Sequence, residues 1–314
     1  MINKIISILI FLSHFSRFWG QDWKPEDKYE KLFFINDFAK NQNLKISKYI
    51  LNTKELYGIE EKIEINNVII KNYKGEDSGI LLITALPDLK GQNDWVKVRY
   101  DLIKDKIVKD PTVKDISFKN STSSDEENIT KTLKYGIVKK IGNDYFIPDH
   151  CLTEYFRIVS YNYPLITTNR TAFNIKENLV TIKEMSELYK ETFPSDREPF
   201  PLDMSNFAFE LVGINSDLIR YYHSKNYKIK NENAYQFWTM NAWLVRDGYN
   251  TQRGIDRFVY IPEKGIIGGS YDFYFRFNNG GNPVIPFKNF WDNILNEKVM
   301  IAEELKQILE STKY

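Results

Sequence analysis

Cysteine and histidine are almost missing from this chain. Among 314 residues there is one cysteine, Cys151, so no internal disulfide can form. The fold must therefore be held by its core, unlike the small secreted domains that rely on covalent staples. Of the three histidines only His150 and His223 lie beyond the first twenty residues. That is too few for most imidazole metal centres and leaves little room for a His-centred triad, so neither a metal nor another cofactor is expected. An excess of charge of one sign is also missing: 43 Lys and Arg oppose 42 Asp and Glu. No global field draws nucleic acid or an anionic membrane surface, and nucleic acid is not an expected partner. Beyond residue 20 no apolar run is long enough for a stable membrane span. Signatures of local chemistry are absent as well. There is no GxSxG elbow, P-loop, strand-linked GxGxxG, HExxH or CxxC, which removes the enzyme classes that carry them.

What the chain does have begins at its start. Lys4 precedes Ile5, Ile6, Ile8, Leu9, Ile10, Phe11 and Leu12, interrupted only by Ser7, and His14, Ser16, Arg17 and Gly20 end the run. That order of a basic, an apolar and a polar region reads as a signal peptide over residues 1–20, cut near Gly20. The expected location is secreted or periplasmic. Sequons at Asn120, Asn128 and Asn169 would be glycosylation acceptors in a eukaryotic secretory route, but the shortage of cysteine leans toward a bacterial envelope or secreted protein.

The composition, 42% hydrophobic and 15% aromatic, supports a substantial core. Spacing of apolar residues predicts a helix over Lys24–Asn43, a second over Leu44–Leu56, and a hairpin of Lys62–Tyr73 with Gly79–Leu86 about a Lys74–Gly79 turn. Trp95–Val108 reads as helix or interrupted strand. A hairpin follows over Tyr135–Pro148, turning at Gly142-Asn143-Asp144, then an extended segment over Tyr155–Thr168. Helices are expected over Lys176–Phe193, Asp217–Ser224 and Glu232–Val245. Arg257–Ile261 and Ile266–Phe277 read as the clearest hairpin, with Tyr271, Phe273, Phe275 and Phe277 on one face of its last strand. A helix over Lys288–Leu309 closes the chain. The expected class is α+β, antiparallel hairpins packed with helices and a closing C-terminal helix. The polar stretch at residues 121–128 is the best internal boundary, dividing residues 21–120 from 129–314 or forming a loop within one continuous domain.

Candidate chemistry is sparse. Asp149, His150, Cys151 and Glu154 form the densest polar group, but neighbours on a strand face opposite ways, which favours a packed Cys151 over a thiolate nucleophile. The Pro194–Asp203 loop carries three carboxylates without a calcium-loop pattern and reads as a connector. The best candidate surface is Arg246, Asp247 and Tyr249, leading through Arg253 and Arg257 to the aromatic strand, where three arginines would clamp an anionic or sugar ligand. The plainer reading has Asp247 ending a helix and the arginine stems covering apolar surface. The aromatic face reads as core for a similar reason, since domains seldom leave four large rings wet. The function these features favour is a non-enzymatic envelope or secreted protein that binds a macromolecular partner or a glycan. The alternative is a secreted hydrolase using paired carboxylates, with glycans as one substrate class. Mass spectrometry of the mature protein should give an N-terminus close to Gln21, and an intact Met1 in a cytosolic fraction would refute export.

Overall fold

The computed structural model describes residues 24–89, 94–116, 131–162, 172–192, 194–195, 220–240, 254–277 and 284–306. The expected signal peptide and the polar boundary at 121–128 lie outside these. The fold is mostly antiparallel β-sheet, organised around one strand pair.

The Lys62–Lys71 strand alternates two sets of residues. Ile63, Ile65 and Ile69 join one hydrophobic cluster, whereas Val68 and Ile70 join another. The Asp77–Leu86 strand does the same, with Ile80 and Leu82 on one side and Leu81 and Ile83 on the other. Near-continuous apolar runs of this kind mark a sheet buried on both faces. The two strands pair antiparallel as the sequence predicts, and the turn between them, residues 72–76, overlaps the expected Lys74–Gly79 turn but starts two residues earlier. They form the middle of a central sheet. Leu44–Asn52 flanks one side and His150–Val159 the other, and Ala172–Asn174 pairs parallel to the latter.

One face of the central sheet is covered by the N-terminal layer. It consists of 3-10 turns at Pro25–Lys28 and Ile35–Lys40, a parallel pair of Lys31–Phe33 with Tyr135–Ile137, and a small sheet of Trp95–Val98, Asp144–Pro148 and Lys139–Ile141. Tyr29, Leu32, Phe33 and Phe38 fill the interface. The opposite face packs on a second antiparallel sheet ordered Arg220–Ile229, Glu232–Met240, Arg257–Ile261, Gly265–Ser270 and Met300–Ile301. Phe156 and Phe173 of the central sheet meet Tyr221, Phe237 and Phe258 at ring separations of 4.8–5.2 Å. Helices Ile182–Thr192, Asp272–Phe277 and Phe287–Leu295 add to this core.

Several expected elements differ. Leu44–Asn52 is a strand rather than a helix, and so are Arg220–Ile229 and Glu232–Met240. Their apolar residues are spaced closely enough to suit either period, and pairing with a neighbour settles it. The predicted Lys24–Asn43 helix is broken into 3-10 turns around a short strand. The expected aromatic strand ends at Ser270, and Asp272–Phe277 is helical. Tyr271, Phe273, Tyr274 and Phe275 are buried, so these rings are core. The closing helix stops at Leu295. Glu297 adopts a φ of 50°, which turns the chain so that Met300 and Ile301 pair with Gly269 and Gly268. Only glycine fits at Gly268, where a Cβ would lie 2.2 Å from the Met300 carbonyl oxygen.

Arg257 is buried in this second sheet, with its guanidinium ion-paired to Asp272 and its Nε donating to the Lys298 carbonyl at 3.1 Å. Asn293 donates to the other Asp272 oxygen at 3.3 Å. Replacing Arg257 by Met leaves Asp272 buried without its cation and should cost about 3–5 kcal/mol in urea unfolding. The double replacement with Asp272→Leu should recover part of that loss. Equal losses in both variants would show that the ion pair is not the source.

Candidate functional site

The ladder between Asp77–Leu86 and His150–Val159 ends at the Arg157–Gly79 pair. Beyond that pair lies an open groove of about 730 Å³, within the usual range for ligand clefts of about 300–1,000 Å³. One wall is the turn Asn72–Ser78. The other is Ile158–Tyr161 with Ile175, and Tyr260, Pro262 and Glu263 of the second sheet complete the lining.

Both walls are fixed by an asparagine. The Asn72 side-chain oxygen accepts from the backbone N–H groups of Lys74 at 2.8 Å and Glu76 at 3.0 Å, and its amide donates to the Glu76 carboxylate at 3.0 Å. Gly75 supports the same turn with a φ of 79°. On the opposite wall the buried Asn174 side chain accepts from the Tyr161 N–H at 3.0 Å and donates to its carbonyl at 2.9 Å. This two-point clamp sets the Tyr161 backbone while its side chain remains 47% exposed at the groove.

The floor is a polar seam between the sheets. Asp77 accepts from Lys71 at 2.6 Å, from the Tyr260 hydroxyl at 2.7 Å and from the Glu263 N–H at 2.8 Å. Lys71 also pairs with Glu263, which Lys45 reaches at 3.2 Å. Glu263 is held below the ordinary carboxylate range chiefly by its hydrogen bond from Lys71. Burial, with the adjacent Asp77 charge, pushes the Tyr260 phenol well up, so it remains a donor at neutral pH.

Of the residues singled out in the sequence, those the structure describes do not form a site. Arg246, Asp247, Tyr249 and Arg253 lie outside the described residues, as does most of the Pro194–Asp203 loop. Arg257 is in the core contact described above, 1% exposed, and its guanidinium is taken up by Asp272 and the Lys298 carbonyl. His150 and Cys151 are separated by the pleat. The His150 ring lies 6.2 Å from Tyr274, while Cys151 is buried in the N-terminal layer. Burial pushes the Cys151 thiol up to about 12, which leaves it a packed thiol rather than a nucleophile at neutral pH. Asp149 is held well below its ordinary range by its hydrogen bond with His150, 3.1 Å away, and by Lys28. His223 is on a strand, with Nδ1 3.0 Å from the Glu177 carbonyl and Nε2 2.6 Å from the Asn226 side chain. Those partners give it a structural role.

A second polar group sits between the sheets. Glu154 is 1% exposed, with one oxygen accepting from the Ile255 N–H at 3.0 Å and the other 3.4 Å from Lys131. Gly254 packs on this carboxyl with a φ of 80°, and a Cβ there would fall 2.1 Å from Oε1. Burial raises the Glu154 pKa, and the nearby Asp256 charge adds to the effect. Glu154 and Asp256 are 1% and 2% exposed, which gives a substrate no access to them.

Of the groove, the sequence shows only the Lys74–Gly79 turn. Tyr161 falls in a segment read as extended, and Asn174 carries no local signal, because its partner is thirteen residues away. No family model, no curated protein and no solved structure matches the chain.

Because Glu154 has a raised folded pKa, the stability it contributes is complete below its ordinary value of 4.5 and declines as pH rises through the folded value. Glu154→Gln should therefore stabilise the protein relative to wild type at pH 7 and change it little at pH 4, read by urea midpoints. The opposite pH trend would refute a protonation-linked cost at this residue.

Proposed function

We propose that this chain is an exported, non-enzymatic binding protein whose groove between Asn72–Ser78 and Ile158–Tyr161 receives part of a macromolecular partner or a glycan. The observation that carries this reading is the fixing of both walls by the side chains of Asn72 and Asn174, which gives an open, solvent-facing groove little ordering cost on binding. A turn that served only to connect two strands would not call for a buried asparagine on the opposite wall to hold an exposed tyrosine. The apolar run at residues 5–12 supports export, with the envelope or the medium as the place where the partner is met.

The carboxylates at the groove, Asp77 and Glu263, are taken up by Lys71, Tyr260 and Lys45, which supports binding over hydrolysis by paired carboxylates there. The test uses the mature chain immobilised against envelope and culture fractions, beside Ser160→Trp, which fills the groove from an exposed position, and Tyr100→Ser on the N-terminal layer. The bound material should be lost with Ser160→Trp and kept with Tyr100→Ser. Retention by the groove-filled variant would overturn the reading.

A further inference from the structure

We infer that the groove binds a neutral oligosaccharide, with one sugar ring stacked on Tyr161 and Asn174 as the residue that positions that platform; this rests on the binding reading above. The first argument is charge. Lys74 lines the groove with three carboxylates, Glu76, Asp77 and Glu263; Lys71, behind the lining, pairs with Asp77 and Glu263, Lys45 pairs with Glu263, and Glu76 accepts from the Asn72 amide. Lys74 leans over the ring of Tyr73 at 5.6 Å. An anionic ligand would meet three carboxylates with Lys74 as the one lining cation among the described residues, and a cationic ligand would compete with Lys71 and Lys45 for Asp77 and Glu263.

The second argument is the kind of surface presented. Tyr161 is 47% exposed at the groove and Tyr73, on the facing turn, is 93% exposed. Large rings are normally buried, and a tyrosine held in the open combines an apolar face with a polar tip. Sugar rings offer the complement, with an apolar C–H face for the ring and hydroxyls at the rim for Ser160. A peptide binding through side-chain pockets would need apolar recesses, whereas the aliphatic part of this lining is confined to Ile158, Val159, Ile175 and Pro262.

The third argument is rigidity. Stacking is directional, so a platform is useful only when its backbone is fixed. The paired hydrogen bonds of 3.0 and 2.9 Å between Asn174 and Tyr161 fix it from a side chain that is 3% exposed.

The experiment titrates the mature protein by calorimetry with four neutral tetrasaccharides, those of chitin, cellulose, amylose and β-mannan, and with tetragalacturonate and a neutral Ser/Gly hexapeptide as contrasts. At least one neutral tetrasaccharide should bind, with affinity unchanged within twofold between 50 and 500 mM salt. Tyr161→Ala should weaken it about tenfold, in line with loss of a stacking contact, and Tyr161→Phe should stay within threefold because the ring face is kept. Asn174→Ala, checked for folding by circular dichroism, should weaken binding at least fivefold with the ring still present. Failure of all four neutral sugars, binding of only the galacturonate or the peptide, or an unchanged Tyr161→Ala affinity would overturn the sugar assignment. If capture of a partner remained sensitive to Ser160→Trp in such a case, the groove would stand as a binding site and only its ligand class would fall.

Discussion

The structure depends on one strand pair that is apolar on both faces. Lys62–Lys71 and Asp77–Leu86 place isoleucine, leucine and valine to either side, so neither face can be left in water. Burying a side chain of this size is worth about 1.5–3 kcal/mol, and the pair contributes many of them. The N-terminal turns and small sheet answer that demand on one face and the second sheet answers it on the other. This layered burial supplies what a chain with a single cysteine cannot obtain from disulfides.

Polar groups trapped between the two large sheets then decide how the sheets meet. Asn67 extends the backbone pattern across the gap, donating to the Ile266 carbonyl at 2.9 Å and accepting from the Ile266 N–H at 2.8 Å. Ser47 and Tyr49 both donate to the Lys264 carbonyl, and Asp77 gathers Lys71, Tyr260 and Glu263. A buried polar atom without a partner is costly, so each contact allows few relative positions of the sheets. At the far end the short Asp272–Phe277 helix seals the gap, with the Tyr271 hydroxyl 2.9 Å from Thr84 and the Tyr274 hydroxyl donating to Pro87. The groove and this plug stand at opposite ends of the ten-residue Asp77–Leu86 strand, about 30 Å apart.

That separation of roles gives the functional reading its physical basis. Most of the described aromatic side chains are used up in the core, where Phe156, Phe173, Phe237 and Phe258 meet in a continuous cluster. Tyr161, half-exposed where the central ladder stops, is among the few described aromatics outside that core. The ionisable groups of the interior act as structural elements: Arg257 with Asp272, Glu154 with the Ile255 N–H, and His223 with two hydrogen-bond partners.

The central hairpin and the Lys139–Ile141 to Asp144–Pro148 hairpin were legible in the sequence because their strands pair locally, and their turn residues and apolar runs lie in one window. The opposite faces of His150 and Cys151 were legible for a similar reason, since the pleat is a property of any strand. Composition also determined that the fold must be core-held. Only tertiary structure decided that Leu44–Asn52, Arg220–Ile229 and Glu232–Met240 are strands, because their apolar spacing suits two periods and the neighbouring strand selects one. It likewise decided that Tyr271–Phe277 turns into a helix to close the sandwich, and that Asn174 reaches back to Tyr161. Contacts between residues far apart in the chain leave no pattern at short range, so half of the groove was written in a turn and the other half existed only once the sheets had assembled.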